Sequence, residues 1–428
     1  MGVRGKVRAA GKYWLPVFPF ALALVFAVAP SVAYAEEKAD NVCVSCHMEL
    51  DGVLKQVALD WQESAHGKAG VYCQECHGGN PYDISLAMEP SQGFKKKPSP
   101  GEIPQFCSKC HSDPVRMRSH NLKSDQFEKF RYSVHGRKLL EAKDNDAPSC
   151  VSCHGKHDIR KVDDPLSPVN RKNVVKTCAS CHSDVKMMSK KGLPHNQYEL
   201  YKGSVHGKAY FEKGDAGVPT CFNCHSNHGI QKPQTLGVRF VCADCHVEQA
   251  DAYKKSRHWQ AAQDTGKPLC INCHSNHDIQ KPRLSKFTAS GELNCLQCHQ
   301  KNSIQMETGN ALYESLSKAQ NSLSNATYAL RGIEEWSGSG FQTSGMKDKL
   351  GRAQKIYKEM KVGAHSLDAK ASATQAQTVA ALSKEVNEEI GRMLVELRNR
   401  KLGLIATWIV AVFFTSILWK RSKYCKRD

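Results

Sequence analysis

Cys150-Val151-Ser152-Cys153-His154-Gly155-Lys156-His157 decides how the rest of the chain is read. Its core, Cys-x-x-Cys-His, is the spacing of a c-type haem attachment site. Two thiols add to the porphyrin vinyl groups, and the adjoining histidine becomes the proximal iron ligand. The same pentapeptide recurs nine times between Cys43 and His299. Disulfides or zinc ribbons would also use many cysteines. Neither requires a histidine directly after the second cysteine of every pair.

The covalent haem sites are Cys43/Cys46, Cys73/Cys76, Cys107/Cys110, Cys150/Cys153, Cys178/Cys181, Cys221/Cys224, Cys242/Cys245, Cys270/Cys273 and Cys295/Cys298. The proximal ligands are His47, His77, His111, His154, His182, His225, His246, His274 and His299. Nine c-type haems are therefore expected. Of nineteen cysteines only Cys425 falls outside the motifs.

Charge agrees with this reading. The formal net charge is +18, and residues 1–35 hold Arg4, Lys6, Arg8 and Lys12 with no acid, so their removal leaves +14. Nine haems would bring eighteen propionates. The basic excess is accounted for as propionate compensation, and no nucleic-acid-binding signature competes with it.

A repeat runs through the array. A first motif is followed by Ser-x-His, then by a second motif, often with a histidine three residues on. The Ser-x-His segments are Ser64-Ala65-His66, Ser133-Val134-His135, Ser204-Val205-His206 and Ser256-Arg257-His258, the first three continuing with glycine. The tails are His157-Asp158-Ile159, His228-Gly229-Ile230 and His277-Asp278-Ile279, and Asn80 stands where the first unit would carry its histidine. Four two-haem units and a ninth single haem result. Nine histidines lie outside the motifs in this region: His66, His120, His135, His157, His195, His206, His228, His258 and His277. They are the candidate distal iron ligands, and they favour electron transfer over catalysis because a second protein ligand closes the iron. No catalytic residue is assigned. Asn80 is the sequence's one hint of an iron lacking its histidine. Met48, Met117, Met187 and Met188 are not needed as ligands on this count, and His365 reads as an ordinary surface or bundle histidine with ligation left open.

The flanking segments complete the plan. Residues 1–35 read as a signal peptide, with an apolar run from Val17 to Val28 and an Ala33-Tyr34-Ala35 cleavage pattern. Residues 36–300 form the nonahaem domain. Residues 301–400 hold no cysteine and carry helical seams. The first is Leu312, Leu316, Ala319, Leu323, Ala326, Leu330 and Ile333, and the second is Met346, Leu350, Ala353, Tyr357, Met360 and Ala364. A third helix carries Leu382, Val386, Ile390, Met393 and Leu397. A helical hairpin or bundle follows, or an oligomerising coiled coil. Residues 401–421 read as a transmembrane helix and 422–428 as a short cytoplasmic tail. The fold class is mainly α: a loop-rich, haem-packed domain of short helices, then the long hairpin or bundle and one C-terminal membrane helix.

The nine motifs, the Ser-x-His-Gly segments and Cys-x-x-Cys-His-x-x-His at 150–157, 221–228 and 270–277 resemble the bacterial multihaem c-type cytochromes of respiratory chains. That resemblance implies a protein on the periplasmic face of the cytoplasmic membrane. It would carry electrons between a quinol-oxidising complex or the quinone pool and periplasmic cytochromes, a terminal reductase or extracellular acceptors. Multihaem enzymes reducing or oxidising a small nitrogen or sulfur compound through one open-site haem look similar. Some carry a lysine in place of a motif histidine, and no Cys-x-x-Cys-Lys occurs here.

Overall fold

The computed structural model describes residues 41–232, 240–288, 294–337 and 342–424. The expected signal peptide, Cys425 and most of the expected tail lie outside the described residues. Among the described residues there are helices, turns and loops and no strand.

Each even-numbered motif opens a one-turn helix: Cys73–His77, Cys150–His154, Cys221–His225 and Cys270–His274. Capping explains the starts. The backbone N–H of Ser149 donates to Ser152 Oγ at 3.1 Å, Thr220 to Asn223 Oδ1 at 2.8 Å, and Leu269 to Asn272 Oδ1 at 2.7 Å. The stops are left-handed: Gly78, Gly155, Ser226 and Ser275 have φ of 70°, 85°, 67° and 66°. A helix cannot continue through that conformation. The odd-numbered motifs differ. The first lies within the helix Val42–Glu49. Those at 107 and 178 end the longer helices Ile103–His111 and Val174–His182, and those at 242 and 295 lie on 3-10 turns.

The Ser-x-His segments are also built alike. Ser64, Ser133, Ser204 and Ser256 are buried and cap the following turn. Their hydroxyls accept from the N–H of Gly67, Gly136, Gly207 and Trp259 at 3.0, 2.9, 3.0 and 3.3 Å. A β-carbon on Gly67, Gly136 or Gly207 would lie 2.1, 1.9 or 1.9 Å from the carbonyl oxygen of Trp61, Phe130 or Tyr201. Glycine is what lets the turn close there.

Beyond the motifs, three helices, Ile304–Ser337, Ser344–Gly363 and Ala369–Tyr424, share one core. Every residue of the first expected seam is buried, as are Met346, Leu350, Ala353, Met360 and Ala364 of the second. Leu382, Val386 and Ile390 of the third are buried too, and Tyr357 and Met393 pack at the edge. The seams are filled within one chain. Gly309 sits where a β-carbon would be 2.5 Å from the Phe287 carbonyl oxygen, so the first long helix lies directly on the segment before the last motif. The third helix runs unbroken for 56 residues, roughly 84 Å at 1.5 Å per residue. Its outer third, from Leu402 to Trp419, is apolar and exposed, and is long enough to cross a membrane.

Candidate haem centres

Eight pairs of histidine rings face one another across the molecule. Seven of the motif histidines meet a ring from the repeat pattern on a neighbouring unit as follows, given as ring-centre distances. His77 faces His157 at 6.2 Å, His111 faces His66 at 6.0 Å, and His154 faces His228 at 5.9 Å. His182 faces His135 at 6.1 Å, His225 faces His277 at 5.9 Å, and His246 faces His206 at 6.3 Å. His299 faces His258 at 6.0 Å. The eighth pair is His274 with His365, at 6.1 Å.

That separation fits the group the motifs call for. Two metal–nitrogen bonds of about 2 Å, plus about 1 Å from each nitrogen to its ring centre, give about 6 Å. The electrostatics agree, since only a neutral imidazole ligates a metal. Burial, then the facing His182, pushes His135 down to about 4. Burial also brings His154 and His274 to about 4, with His228 and His365 as the next cause.

The pairings follow a rule. Each Ser-x-His histidine faces the first motif of the next unit, or the single ninth motif: His66 faces His111, His135 faces His182, His206 faces His246, and His258 faces His299. Each tail histidine faces the second motif of the unit before: His157 faces His77, His228 faces His154, and His277 faces His225. Backbone hydrogen bonds lock the same neighbours together. Ala65 N–H donates to the Ile159 carbonyl at 2.7 Å, Val134 to Ile230 at 2.8 Å, and Val205 to Ile279 at 2.8 Å. The tail isoleucine is therefore part of the clasp.

The rule accounts for both ends of the array. Asn80 lies where a tail histidine would have no earlier unit to face. The second motif of unit four has no later unit to supply a tail histidine, and His365 takes that place. His365 lies in the turn Ala364–Ser366 that ends the second long helix. Its Nδ1 is 2.9 Å from the Val362 carbonyl. A hydrogen bond there leaves Nε2 for the far partner.

The structure thus brings seven of the nine expected distal histidines opposite a motif histidine, with His365 as the eighth. His120 and His195 are not brought to any ring; they stand exposed, the first at a helix end and the second in a loop. Sequence reasoning passed over His365 because nine spare histidines already matched nine motifs. The missing tail after the last full unit was the signal that one more was needed.

The cysteines show how the motifs follow one another. No disulfide ties up the eighteen motif cysteines, so every thiol stays available for a thioether bond. Cys107 lies beside Cys150, Cys178 beside Cys221, and Cys242 beside Cys270, close enough to perturb one another's thiols. Cys73 feels Cys43 electrostatically, and burial, more than that neighbour, pushes Cys73 up to about 11. The links between units are also short-range: Cys76 with Cys107 and Cys110, Cys153 with Cys181, Cys224 with Cys245, and Cys273 with Cys295 and Cys298. Every motif adjoins the next one in the chain.

Cys46 departs from the equivalence of the nine motifs that their spacing suggests. In the corresponding place of later motifs, Cys110, Cys181, Cys245 and Cys298 each meet a cysteine of the unit before. Cys46 has no earlier unit to meet. It lies half-buried on the helix Val42–Glu49, with its own motif partner Cys43 as its cysteine neighbour. Burial, more than Cys46, pushes the Cys43 thiol up. The first motif thus keeps the attachment residues in place but meets no cysteine of another unit through Cys46 among the described residues.

Comparison with known proteins agrees with these centres. The family model described as a doubled CXXCH motif matches residues 261–304, and that for cytochrome c554 and c-prime matches residues 28–78. These matches and the motif array make the chain a multihaem c-type cytochrome. Among individual proteins it is similar to the multiheme cytochrome MtrA of Shewanella baltica, 26% identical over 225 residues, covering 50% of this chain and 55% of that protein. It is also similar to the cytochrome c-type protein NrfB of Haemophilus influenzae, 26% identical over 191 residues, covering 39% of this chain and 72% of the relative. The chain thus spans little more than half the length of the first of these relatives.

Proposed function

We propose that the chain carries nine haems and works as a membrane-anchored electron conduit. Electrons enter from a quinol-oxidising membrane system and leave to periplasmic or extracellular acceptors. The haem domain lies on the periplasmic face, held by the apolar end of the helix Ala369–Tyr424. The observation that carries this reading is the unbroken succession of neighbouring motifs, eight of them backed by a facing histidine. Haem supplies one-electron chemistry, and two histidines on an iron restrict that iron to electron transfer. The chain's own part is to hold the imidazoles neutral and the centres in line. Histidine pairs also favour lower potentials than histidine–methionine pairs, as suits anaerobic respiration.

A substitution in the middle of the line tests this. His228→Met should raise the potential of the centre at His154, because methionine raises haem potentials. Electron passage from a membrane donor to a soluble acceptor should then slow severalfold. An unchanged rate, with the potential shifted, would mean that electrons do not traverse the whole array.

A further inference from the structure

The chain has nineteen histidines, and all of them lie among the described residues. Sixteen stand in the eight facing pairs. Three are left: His47, His120 and His195. His47 belongs to the first motif, so it is the one motif histidine with no ring opposite.

The repeat explains why. Every other first motif receives its facing histidine from the Ser-x-His segment of the unit before it. His47 precedes every Ser-x-His segment in the chain. Its own geometry is nevertheless that of a ligand. Its Nδ1 lies 3.2 Å from the Leu54 carbonyl, the arrangement also found at His77, with Lys95 at 2.9 Å, and at His365. In all three, hydrogen bonding at Nδ1 leaves Nε2 for a metal.

Among the described residues no second histidine ring completes this site. Met48 follows His47 on the same short helix, Val42–Glu49, so its side chain leaves the helix on His47's side of any bound ring. A second copy of the chain could not extend the repeat either. The Ser-x-His histidine of its last unit already faces His299. Asn80 removes the histidine that the first unit would offer in return.

We propose that the centre at His47 keeps an open axial position and binds small neutral or anionic donors of the size of carbon monoxide, cyanide or nitrite. This rests on the reading that all nine motifs carry haem. The first haem is then the one place in the array where chemistry on an exogenous molecule is available, while the other eight serve conduction.

The test uses the full-length protein in detergent. Its intact mass first establishes nine haems per chain; a smaller number overturns the nine-haem reading itself. With nine present, the oxidised protein should show one high-spin iron in its EPR spectrum, and the reduced protein should bind one carbon monoxide per chain. His365→Ala leaves all nine attachment motifs intact and should raise both counts to two. His120→Ala and His195→Ala should leave both at one. Nine low-spin irons and no carbon monoxide uptake in the unaltered protein would overturn the open position at His47. So would two or more open irons before any substitution.

Discussion

At the scale of single residues, the centres depend on small side chains beside the histidines as well as on the histidines' burial. Gly136 lets His135 reach its partner because nothing larger fits beneath the Phe130 carbonyl. Gly136→Ala should cost about 1–3 kcal/mol or more from overpacking. It should also release His135, seen as a new high-spin iron at the His182 centre. Ser226 and Ser275 make the opposite case. Each holds a positive φ, 67° and 66°, with ψ near 180°, where Gly155 sits in the equivalent place of unit two. That region is essentially reserved for glycine and costs a side chain about 1–3 kcal/mol. Ser226→Gly and Ser275→Gly should therefore raise the thermal unfolding midpoint, with the haem spectra unchanged. The Cys-x-x-Cys-His motifs were legible residue by residue, because covalent haem chemistry fixes their spacing. The facing partners were not. His157 and His77 lie far apart in the chain, in different units, and no local pattern encodes that separation.

At the scale of elements, short helices carry the haem motifs because little apolar side chain is available around them. The described residues bury few large hydrophobics before residue 300, whereas the three long helices bury most of the rest. The bundle seams were readable because a helix burying one face repeats its apolar residues at three- and four-residue steps. Leu316, about 1% exposed, sits in the middle of that core. Leu316→Ala should destabilise the bundle by about 2–5 kcal/mol, measured as loss of helical circular dichroism under denaturant. A partly unfolded bundle would also withdraw the turn Ala364–Ser366. Carbon monoxide binding at the His274 centre should then appear at lower denaturant than in the unaltered protein. His365 faces His274 because of where a helix end lands, and helix periodicity does not say where that is.

At the scale of the whole molecule, the array is a one-dimensional repeat in which each unit completes its neighbours and each end needs its own solution. At the C-terminal end His365 faces His274, so the helical bundle supplies a ring to the array. Two truncations separate these roles. Ending the chain after Arg400 should free the protein from membranes and leave the spectra unchanged. Ending it after Gln300 should free it as well, but add one high-spin iron, because His365 is lost. If either fragment stays with the membrane, anchoring by the helix Ala369–Tyr424 is wrong.

The sequence by itself determined the cofactor class, the nine Cys-x-x-Cys-His motifs, the two-motif repeat and the seams of the helical region. All of these are set by local spacing: a porphyrin's two thioether bonds, or the turn of a helix. Only the tertiary structure decided which histidine faces which. It brought His365, and neither His120 nor His195, opposite a motif histidine, and it left His47 with no ring opposite. Those outcomes depend on contacts between units, on clasps such as Ala65 to Ile159, and on a helix end brought back from beyond the last motif. Such contacts join residues far apart in the chain, and their geometry appears only once the units are stacked.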